Sequence, residues 1–469
     1  METNYTLPLE IRQLLSAEQA FHYRIVPDNK KGNIITLRTD NANLQGLKSE
    51  LLILMGIAVE LIPDTSDNIN RFLSTNYRRS STEKVSEIHY SNDFLEKILF
   101  NAKETGSSDI HFEPYEMKAR VRFRLDGKLK EQFHVSTEEY PIIVNKIKIR
   151  AQLDISEKRL PQDGRITVST EYEDFDIRVS VLPTLHGEKV VLRILSKDTS
   201  HIDLDSVGFN ANELQIYLEG IKKPNGIVLI SGPTGSGKTT TLYATLKRLN
   251  LPNTNILTVE DPIEYTLEGI NQVQLKENIG LDFAATLRTF LRQDPDIIMV
   301  GEIRDVNTAN MAIRAALTGH LVLSTIHTNS AWATISRLID MGVPSFLIAS
   351  TLNISIAQRL VRKLCNSCKE QQEVTSALFP TGFKAPELLT YHFTAAGCNN
   401  CHHTGYSGRK AIYEILLIDK ELMNLIKTNV LTIDDYIEEK NIQTLRKNAI
   451  ELIKDGTTSV EEVFSLLME

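Results

Sequence analysis

The stretch from Gly232 to Thr240 is the feature that most constrains how this chain can fold. It matches the pattern G-x-x-x-x-G-K-[S/T], and it follows an apolar segment at 227–230 that is typical of a buried strand. The segment at 242–249 has the periodicity of an amphipathic helix. A strand, a glycine loop and a helix in this order predict a P-loop, a context that a chance match in a surface turn would lack.

The residue types of this loop indicate a nucleoside triphosphate with Mg²⁺ as its ligand. Glycines let backbone N–H groups turn towards phosphate oxygens, and the helix N-terminus adds partial positive charge. Lys238 would reach the outer phosphates, and the Thr239 hydroxyl would ligate Mg²⁺. The predicted nucleotide-binding residues are Gly232, Pro233, Thr234, Gly235, Ser236, Gly237, Lys238, Thr239 and Thr240.

Two further predicted strands, at 255–259 and 296–300, are followed by carboxylates. Because ligands of open α/β sheets lie at the carboxyl ends of strands, these acids are expected near the phosphates. Glu264 and Glu302 are the candidates for holding the metal and orienting the attacking water. Gly301 stands where many P-loop enzymes carry an aspartate, which leaves Glu302 as the acid of its strand. The alternative is that one acid after the first strand only caps the next element; these acids are Glu260, Asp261 and Glu264.

Two arginines and two histidines are further candidates. Arg288 and Arg292 lie four residues apart on a helix predicted at 283–293, where a guanidinium pair can neutralise charge developing on a phosphate. A solvated helix face is the alternative. A predicted central strand within 318–329 has His320 and His327 at its two ends. A lone strand histidine is usually structural, but this pair favours a role in sensing the γ-phosphate.

All four cysteines occur late in the chain, as two C-x-x-C pairs. Two such pairs can supply four thiolates to one tetrahedral zinc ion, a closed site that is structural rather than catalytic. The predicted zinc ligands are Cys365, Cys368, Cys398 and Cys401, with His402 and His403 as substitutes. The long intervening stretch counts slightly against zinc, and free thiols or disulfides are the alternatives.

Length and charge limit the remaining interpretations. A chain of 469 residues is expected to contain about three domains. The net charge of -8 argues against nucleic-acid binding through the overall field and favours a protein partner. The most apolar stretch, at 51–62, is shorter than the ~20 residues of a spanning helix and contains Glu60. Residues 1–4 begin no signal peptide, so we expect a cytoplasmic location.

The remaining pattern divides the chain into segments. Residues 1–80 predict a small α/β domain with a structural or docking role, with strands at 22–26 and 33–37 around a turn at 28–32, a helix at 44–55, and a linker at 77–84. The other predicted segments are a sheet-rich domain at 85–195, a linker at 196–210, the ATPase domain at 211–360, the tetracysteine subdomain at 361–410 and a helical C-terminal subdomain at 411–469. Arginines on the sheet's polar face, among them Arg165 and Arg178, are by themselves most simply solvated.

These motifs together resemble the secretion and pilus traffic ATPases, in the branch that serves type II secretion and type IV pilus assembly. The resemblance covers residues 85–469 and rests on four blocks in order, namely the P-loop at 232–240, an acid-rich box at 258–265, a Walker B strand at 294–305 and a histidine box at 318–329. In this family the Gly301-Glu302 pair is the usual pattern. Sheet-domain segments at 108–111, 122–127, 159–165 and 181–184 are similar as well.

The resemblance implies an α/β fold with a RecA-like P-loop domain, a PAS-like α+β sheet domain before it, a zinc-ribbon-like insertion and a small helical end. It also implies a cytoplasmic homo-hexamer, peripheral at the inner membrane, that contacts a membrane platform and adaptor proteins and not nucleic acid. Arg165 and Arg178 would then reach the nucleotide together with Arg288 and Arg292. The cysteines favour the secretion or pilus-extension branch, and residues 1–80 resemble a shortened docking module without a repeat for cyclic dinucleotides.

The primary hypothesis is therefore a Mg²⁺-dependent ATPase that drives secretion or pilus assembly. A motor for DNA uptake or pilus motility is the alternative within the family. From other classes, a nucleotide-gated scaffold with little turnover and a nucleic-acid motor stay open. Complete sets of acids and arginines argue against the scaffold, and the net charge argues against the nucleic-acid motor.

Overall fold

The computed structural model describes residues 7, 9–32, 34–77, 86–87, 93–169, 174–195, 203–375, 378–380, 383 and 389–468. Contacts divide the chain into two compact units, one made of Met1–Ser86, Arg362–Ser407 and Ala449–Glu469 and the other of Glu87–Val361 and Gly408–Asn448. Residues 78–84 of the predicted linker at 77–84, residues 196–202 of the linker at 196–210, and residues 1–4 lie outside the described residues. The domain limits given above remain predictions.

Residues 7–77 form a small α/β layer in which β2 lies between antiparallel β1 and parallel β3. Its elements are α1 (Leu9–Arg12), α2 (Ala17–Tyr23), β1 (Ile25–Lys31), β2 (Ile34–Thr39), α3 (Leu44–Met55), β3 (Ala58–Pro63) and α4 (Ser66–Asn76). The helix predicted at 44–55 is confirmed. The strand predicted at 22–26 is wrong at its start, because a capping box of Ser16 and Gln19 begins a helix that continues to Tyr23. Most of the turn predicted at 28–32 belongs to β1.

The described residues between 86 and 195 form a sheet with two helices, in the segment predicted to be rich in sheet. Its elements are β4 (Ser86–Glu87), α5 (Phe94–Glu104), β5 (Asp109–Pro114), β6 (Ala119–Leu125), β7 (Lys128–Val135), α6 (Tyr140–Arg150), β8 (Gln162–Ser169), β9 (Asp174–Thr184) and β10 (Gly187–Leu195). The strands follow the order β7-β6-β5-β10-β9-β8 and are antiparallel. Side chains of one face, such as Phe112 and Ile177, build a core with α5 and α6.

The other face of this sheet carries charged side chains. Glu113, whose side chain is only 5% exposed, accepts hydrogen bonds from Arg120 at 3.0 Å and Arg122 at 2.7 Å. Lys189 Nζ lies 3.1 Å from the same carboxylate. Burial raises the pKa of Glu113, but these three cations outweigh burial and lower the pKa to about 2. The carboxylate therefore stays ionised and ties neighbouring strands together.

The P-loop domain contains a sheet of order β13-β12-β14-β15-β11-β16, in which neighbouring strands are parallel. Its elements are α7 (Ala211–Ile221), β11 (Gly226–Ser231), α8 (Lys238–Leu249), β12 (Ile256–Glu260), β13 (Asn271–Gln274), α9 (Phe283–Phe290), β14 (Ile297–Val300), α10 (Val306–Leu317), β15 (Leu321–Ile326), α11 (Ala331–Asp340), α12 (Ser345–Thr351) and β16 (Leu352–Leu364). Every residue of β11 is buried, which explains its continuous apolar run. The carboxyl ends of β11, β12, β14 and β15 meet at one edge, where the P-loop, Glu302 and His327 follow their strands.

The remaining elements comprise two short strands, one long strand and four helices. They are β17 (Lys369–Glu373), β18 (Tyr391–Ala395), β19 (Tyr406–Leu417), α13 (Lys420–Lys427), α14 (Asp434–Glu439), α15 (Leu445–Lys454) and α16 (Val460–Met468). The segment predicted as helical at 411–469 contains helices from Lys420 onwards, but its first residues belong to β19, which continues to Leu417. None of the helices in the described part of the chain has the length and apolar character needed to cross a bilayer.

Candidate nucleotide site and metal centre

The loop between β11 and α8 has a backbone that admits only glycine at its first position. Gly232 has a φ of +149°, and a Cβ there would lie 2.4 Å from the carbonyl oxygen of Gln358. Gly237, with a φ of +87°, forms the N-cap of α8, so the helix begins directly at Lys238. The 12-residue helix therefore directs its free N–H groups at the space enclosed by the loop.

The polar groups inside the loop fit an anionic ligand. Lys238 Nζ donates to the carbonyl oxygens of Gly232 at 2.7 Å and Pro233 at 3.0 Å. Burial lowers the pKa of Lys238 to about 8; the charge of Glu302 acts in the opposite direction, and that of Arg359 lowers the pKa further. Ser236 Oγ is buried and makes no hydrogen bond with any described residue. A phosphate group would satisfy both the lysine and the hydroxyl, so the predicted nucleotide-binding loop fits its ligand chemically.

Glu302 follows β14 and lies beside the histidine that follows β15. Glu302 Oε2 is 3.1 Å from His327 Nε2, and Glu302 Oε1 accepts a hydrogen bond from Arg304. Arg304 also contacts Asp261 at 3.2 Å. The adjacent parallel strands β14 and β15 thus bring Glu302 and His327 together, while their roles at a nucleotide remain predictions. Sequence reasoning did not single out Arg304, because its role depends on the neighbouring strand β12 that supplies Asp261.

The three acids that follow β12 differ in environment. Glu260 is buried and accepts hydrogen bonds from Tyr243, Thr258 and Gln272, so it belongs to the fold and does not face the site. Glu264 instead lies at the surface of a cleft of about 1100 Å³ between the sheet domain and the P-loop domain. Glu260 is therefore an acid with a structural role, as the alternative allowed. It fills that role through hydrogen bonds to buried side chains and not by capping a helix.

An arginine of the sheet domain contacts this acid-rich box. Arg178 donates to Glu264 Oε2 at 3.2 Å and to the carbonyl oxygen of Ile263. Arg165 lines the same cleft and pairs with Asp176. The two arginines that the family resemblance assigned to the nucleotide thus lie next to the acid-rich box. Their contact with a nucleotide remains a prediction.

The other predicted pair, Arg288 and Arg292, lies elsewhere. Helix α9 ends at Phe290, so the predicted helix at 283–293 is too long and Arg292 lies beyond its last residue. Both side chains are exposed and donate to backbone carbonyl oxygens, Arg288 to Ala284 and Arg292 to Arg288. Neither lines the cleft beside Glu264. His320 Nδ1 donates to the carbonyl oxygen of Ala315 at 2.8 Å and lies 3.1 Å from the hydroxyl of Thr318, which fits the structural interpretation of this histidine.

The four cysteines form one compact cluster. Their sulfur atoms all lie within 4.8 Å of one another, with Sγ–Sγ distances of 3.9 Å from Cys365 to Cys398 and 3.8 Å from Cys401 to both Cys368 and Cys398. A tetrahedral ion with Zn–S bonds of about 2.3 Å requires sulfurs about 3.8 Å apart. Among the described residues this ligand group contains the cysteines and neither His402 nor His403. The geometry therefore fits a Cys₄ zinc centre.

Backbone amides support thiolate character in this cluster. The N–H of Gly397 donates to Cys368 Sγ, and those of Cys398 and Gly405 donate to Cys401 Sγ, each at 3.2 Å. Burial disfavours the thiolate at both positions, yet the two donors and the neighbouring thiols lower the pKa of Cys401 to about 7, while burial and the other thiols raise the pKa of Cys368. Such N–H donors form the outer shell that orients metal-bound sulfur.

Comparisons with known proteins agree with this arrangement. A family model described as "Type II/IV secretion system protein" matches residues 86–465. The type IV pilus assembly ATPase PilB of Myxococcus xanthus is 41% identical over 97% of this chain and 86% of its own length. The type II secretion system ATPase E of Vibrio cholerae is 45% identical over 80% of this chain and 75% of its own length.

Solved structures give the same result for the fold. The Legionella pneumophila ATPase DotB is similar with a TM-score of 0.60 at 22% identity, covering 82% of this chain and 97% of that one. The pilus retraction motor PilT with bound ADP has a TM-score of 0.53 at 27% identity, covering 79% of this chain and 95% of that one. The chain therefore belongs to the type II/IV secretion system protein family and is an ATPase of that family.

Proposed function

We propose that this chain is the motor of a type II secretion or type IV pilus assembly machine and couples ATP hydrolysis to movement between its sheet domain and its P-loop domain. The observation that carries the proposal is the convergence of Lys238, Glu302 and His327 at one sheet edge, together with the ion pair of Arg178 and Glu264 across the cleft. The names of the relatives supply the machine.

Each side chain has a defined task in this proposal. Lys238 and the loop N–H groups hold the outer phosphates, while Thr239 and Glu302 hold Mg²⁺, which neutralises phosphate charge. Glu302 or Glu264 orients the attacking water, and His327 holds Glu302 through its Nε2. The four predicted arginines stabilise the negative charge that develops during phosphoryl transfer; they are Arg165, Arg178, Arg288 and Arg292.

The proposed assembly is a homo-hexamer in the cytoplasm, docked at the inner membrane through residues 1–80 and platform or adaptor proteins. In such a ring, side chains of one copy can reach the nucleotide site of the next copy. This arrangement would give the exposed pair Arg288 and Arg292 a role at the neighbouring site. Zinc at the four cysteines has a structural role, because all four positions of a tetrahedral ion are filled.

The test is phosphate release by the purified chain with Mg²⁺ and ATP, measured together with mass by light scattering. We expect release by the wild type and its loss in Lys238→Ala. Lys247→Ala is the matched control, since Lys247 lies on the same helix, is exposed and pairs with Asp203. Release that is equal in Lys238→Ala and wild type would refute the assigned site, and an assembled chain that binds ATP without release would indicate a scaffold.

A further inference from the structure

Strand β16 continues beyond the end of β11 and lies beside the P-loop. The parallel pairing of the two strands ends with Ser231 opposite Ala357, so the next residue of β16 lies next to the start of the loop. That residue is Gln358, which is only 2% exposed. A polar side chain therefore lies in the core next to the loop, outside the four motif blocks of the sequence.

Gln358 packs against the first and the last glycine of the loop. Its carbonyl oxygen lies 2.4 Å from the position that a Cβ on Gly232 would take. Its Nε2 lies 2.9 Å from the position of a Cβ on Gly237. The carbonyl oxygen is itself held in place, because Arg359 Nη1 donates a hydrogen bond to it at 3.2 Å. The loop glycines are therefore fitted closely to this one residue of β16.

The side-chain amide of Gln358 also holds the first turn of α8. Its Oε1 accepts a hydrogen bond at 3.0 Å from the hydroxyl of Thr241, which is buried as well. The N–H of Thr241 donates to the carbonyl oxygen of Gly237 at 3.1 Å and closes that turn. Because Lys238 begins the same turn, a shift of the turn would move its side chain together with the free N–H groups of the helix.

We propose that Gln358 is a positioning residue of the nucleotide site, which holds the P-loop and the start of α8 in the geometry that binds phosphate. This inference rests on the proposed ATPase function. A loop that is ordered before binding gives a higher affinity than one that must be ordered by its ligand. Because the loop holds phosphate in the ground state and in the transition state alike, loss of this support should raise KM more than it lowers kcat.

Asn353 of the same strand provides a matched control. It is also a buried amide, it donates to the carbonyl oxygen of Asn225 at 2.8 Å, and it packs against Gly226. This contact lies at the amino end of β11, at the opposite end of the strand from the P-loop. Asn353→Leu therefore removes a comparable hydrogen bond from the same part of the core without touching the loop.

The test measures the affinity for MgADP by calorimetry, kcat and KM by phosphate release, and thermal unfolding without nucleotide. We expect Gln358→Met to bind MgADP about tenfold more weakly, as for loss of one hydrogen bond. Its KM should increase by a similar factor, with kcat within about threefold of the wild type. Asn353→Leu should keep its affinity within about twofold, although both variants unfold at a lower temperature.

A second variant tests the hydrogen bond itself. Thr241→Val keeps the shape of the side chain and removes the donor to Gln358, so it should weaken MgADP binding in the same way. The double variant should then lose no more affinity than the weaker of the two single variants, because both remove one interaction. Additive losses would overturn the inference, and Thr241→Val decides it alone if Gln358→Met does not fold.

The remaining outcomes separate this inference from the proposed function. Equal losses of affinity in Gln358→Met and Asn353→Leu would overturn the inference, because both would then reflect general damage to the core. Wild-type affinity and KM in Gln358→Met would overturn it as well, even where Lys238→Ala is inactive. If the wild type binds MgADP but releases no phosphate, the proposed function fails, while the MgADP affinities still decide the role of Gln358.

Discussion

The pKa of Lys238 leads to a quantitative prediction about nucleotide binding. Burial lowers this pKa to about 8. Without nucleotide, the protonated fraction of Lys238 is therefore roughly 0.9 at pH 7, about 0.5 at pH 8 and about 0.1 at pH 9. Phosphate oxygens beside the ammonium group favour its charged form and raise the pKa in the complex. Binding of MgADP should therefore take up about 0.5 proton at pH 8 and about 0.9 at pH 9, and the affinity should fall about tenfold from pH 7 to pH 9.

Calorimetry in two buffers with different ionisation enthalpies measures this uptake directly, as the slope of the observed enthalpy against the buffer enthalpy. The phosphates of the nucleotide contribute little above pH 8, because a phosphate has its second pKa near 6. Lys238→Arg is the control, since a guanidinium does not titrate in this range and should show no uptake. Uptake below about 0.1 proton at both pH values in the wild type would refute the assignment of a buried, partly neutral lysine.

Three further predictions follow from individual contacts. Arg304→Ala should keep MgATP binding but lower kcat by about 10- to 100-fold in a phosphate-release assay, because Glu302 loses the hydrogen bond that holds its Oε1. An increase in KM of the same size with unchanged kcat would contradict this prediction. Zinc analysis of purified protein should find one ion per chain and none in Cys398→Ser, with hydrogen exchange increasing at 365–401 while the P-loop domain stays protected. The pKa of Glu113 is about 2 in the folded chain and about 4.5 in the unfolded chain, so its ionised form adds about 3 kcal/mol to the free energy of unfolding above pH 4.5, and this contribution is lost as the pH falls towards 2. Glu113→Gln should therefore make the free energy of unfolding, measured by denaturation, depend less on pH in this range.

Local patterns predicted the strand, loop and helix around Gly232 because the physical causes of these elements are local. The buried run before Gly232, the loop glycines and the amphipathic helix after them each follow from nearby residues, and the carboxyl-end rule placed Glu302 at the edge where His327 also lies. The two C-x-x-C pairs also allowed the sequence to predict that the four sulfur atoms lie together, because a tetrahedral zinc ion binds four thiolates.

Predictions failed where a cap or a distant strand decides the structure. The capping box at Ser16 turned a predicted strand start into the end of α2, and α9 ended at Phe290, before Arg292. Helix α6 was not predicted, although the proline at its start was the available signal. The surroundings of Arg193 depend on the register between two strands, and those of Arg304 depend on the neighbouring strand that supplies Asp261. The spacing of residues along a single strand carries no information about either.

The central claim is that hydrolysis at the site built around Lys238 requires Glu302. The most direct measurement incubates the wild type, Glu302→Gln and the exposed control Glu268→Gln with Mg²⁺ and labelled ATP, and then identifies the nucleotide that stays bound. The account predicts ADP on the wild type and the control and intact ATP on Glu302→Gln, with hydrolysis slowed by about 10²- to 10⁴-fold. Equal conversion to ADP on all three proteins would contradict it.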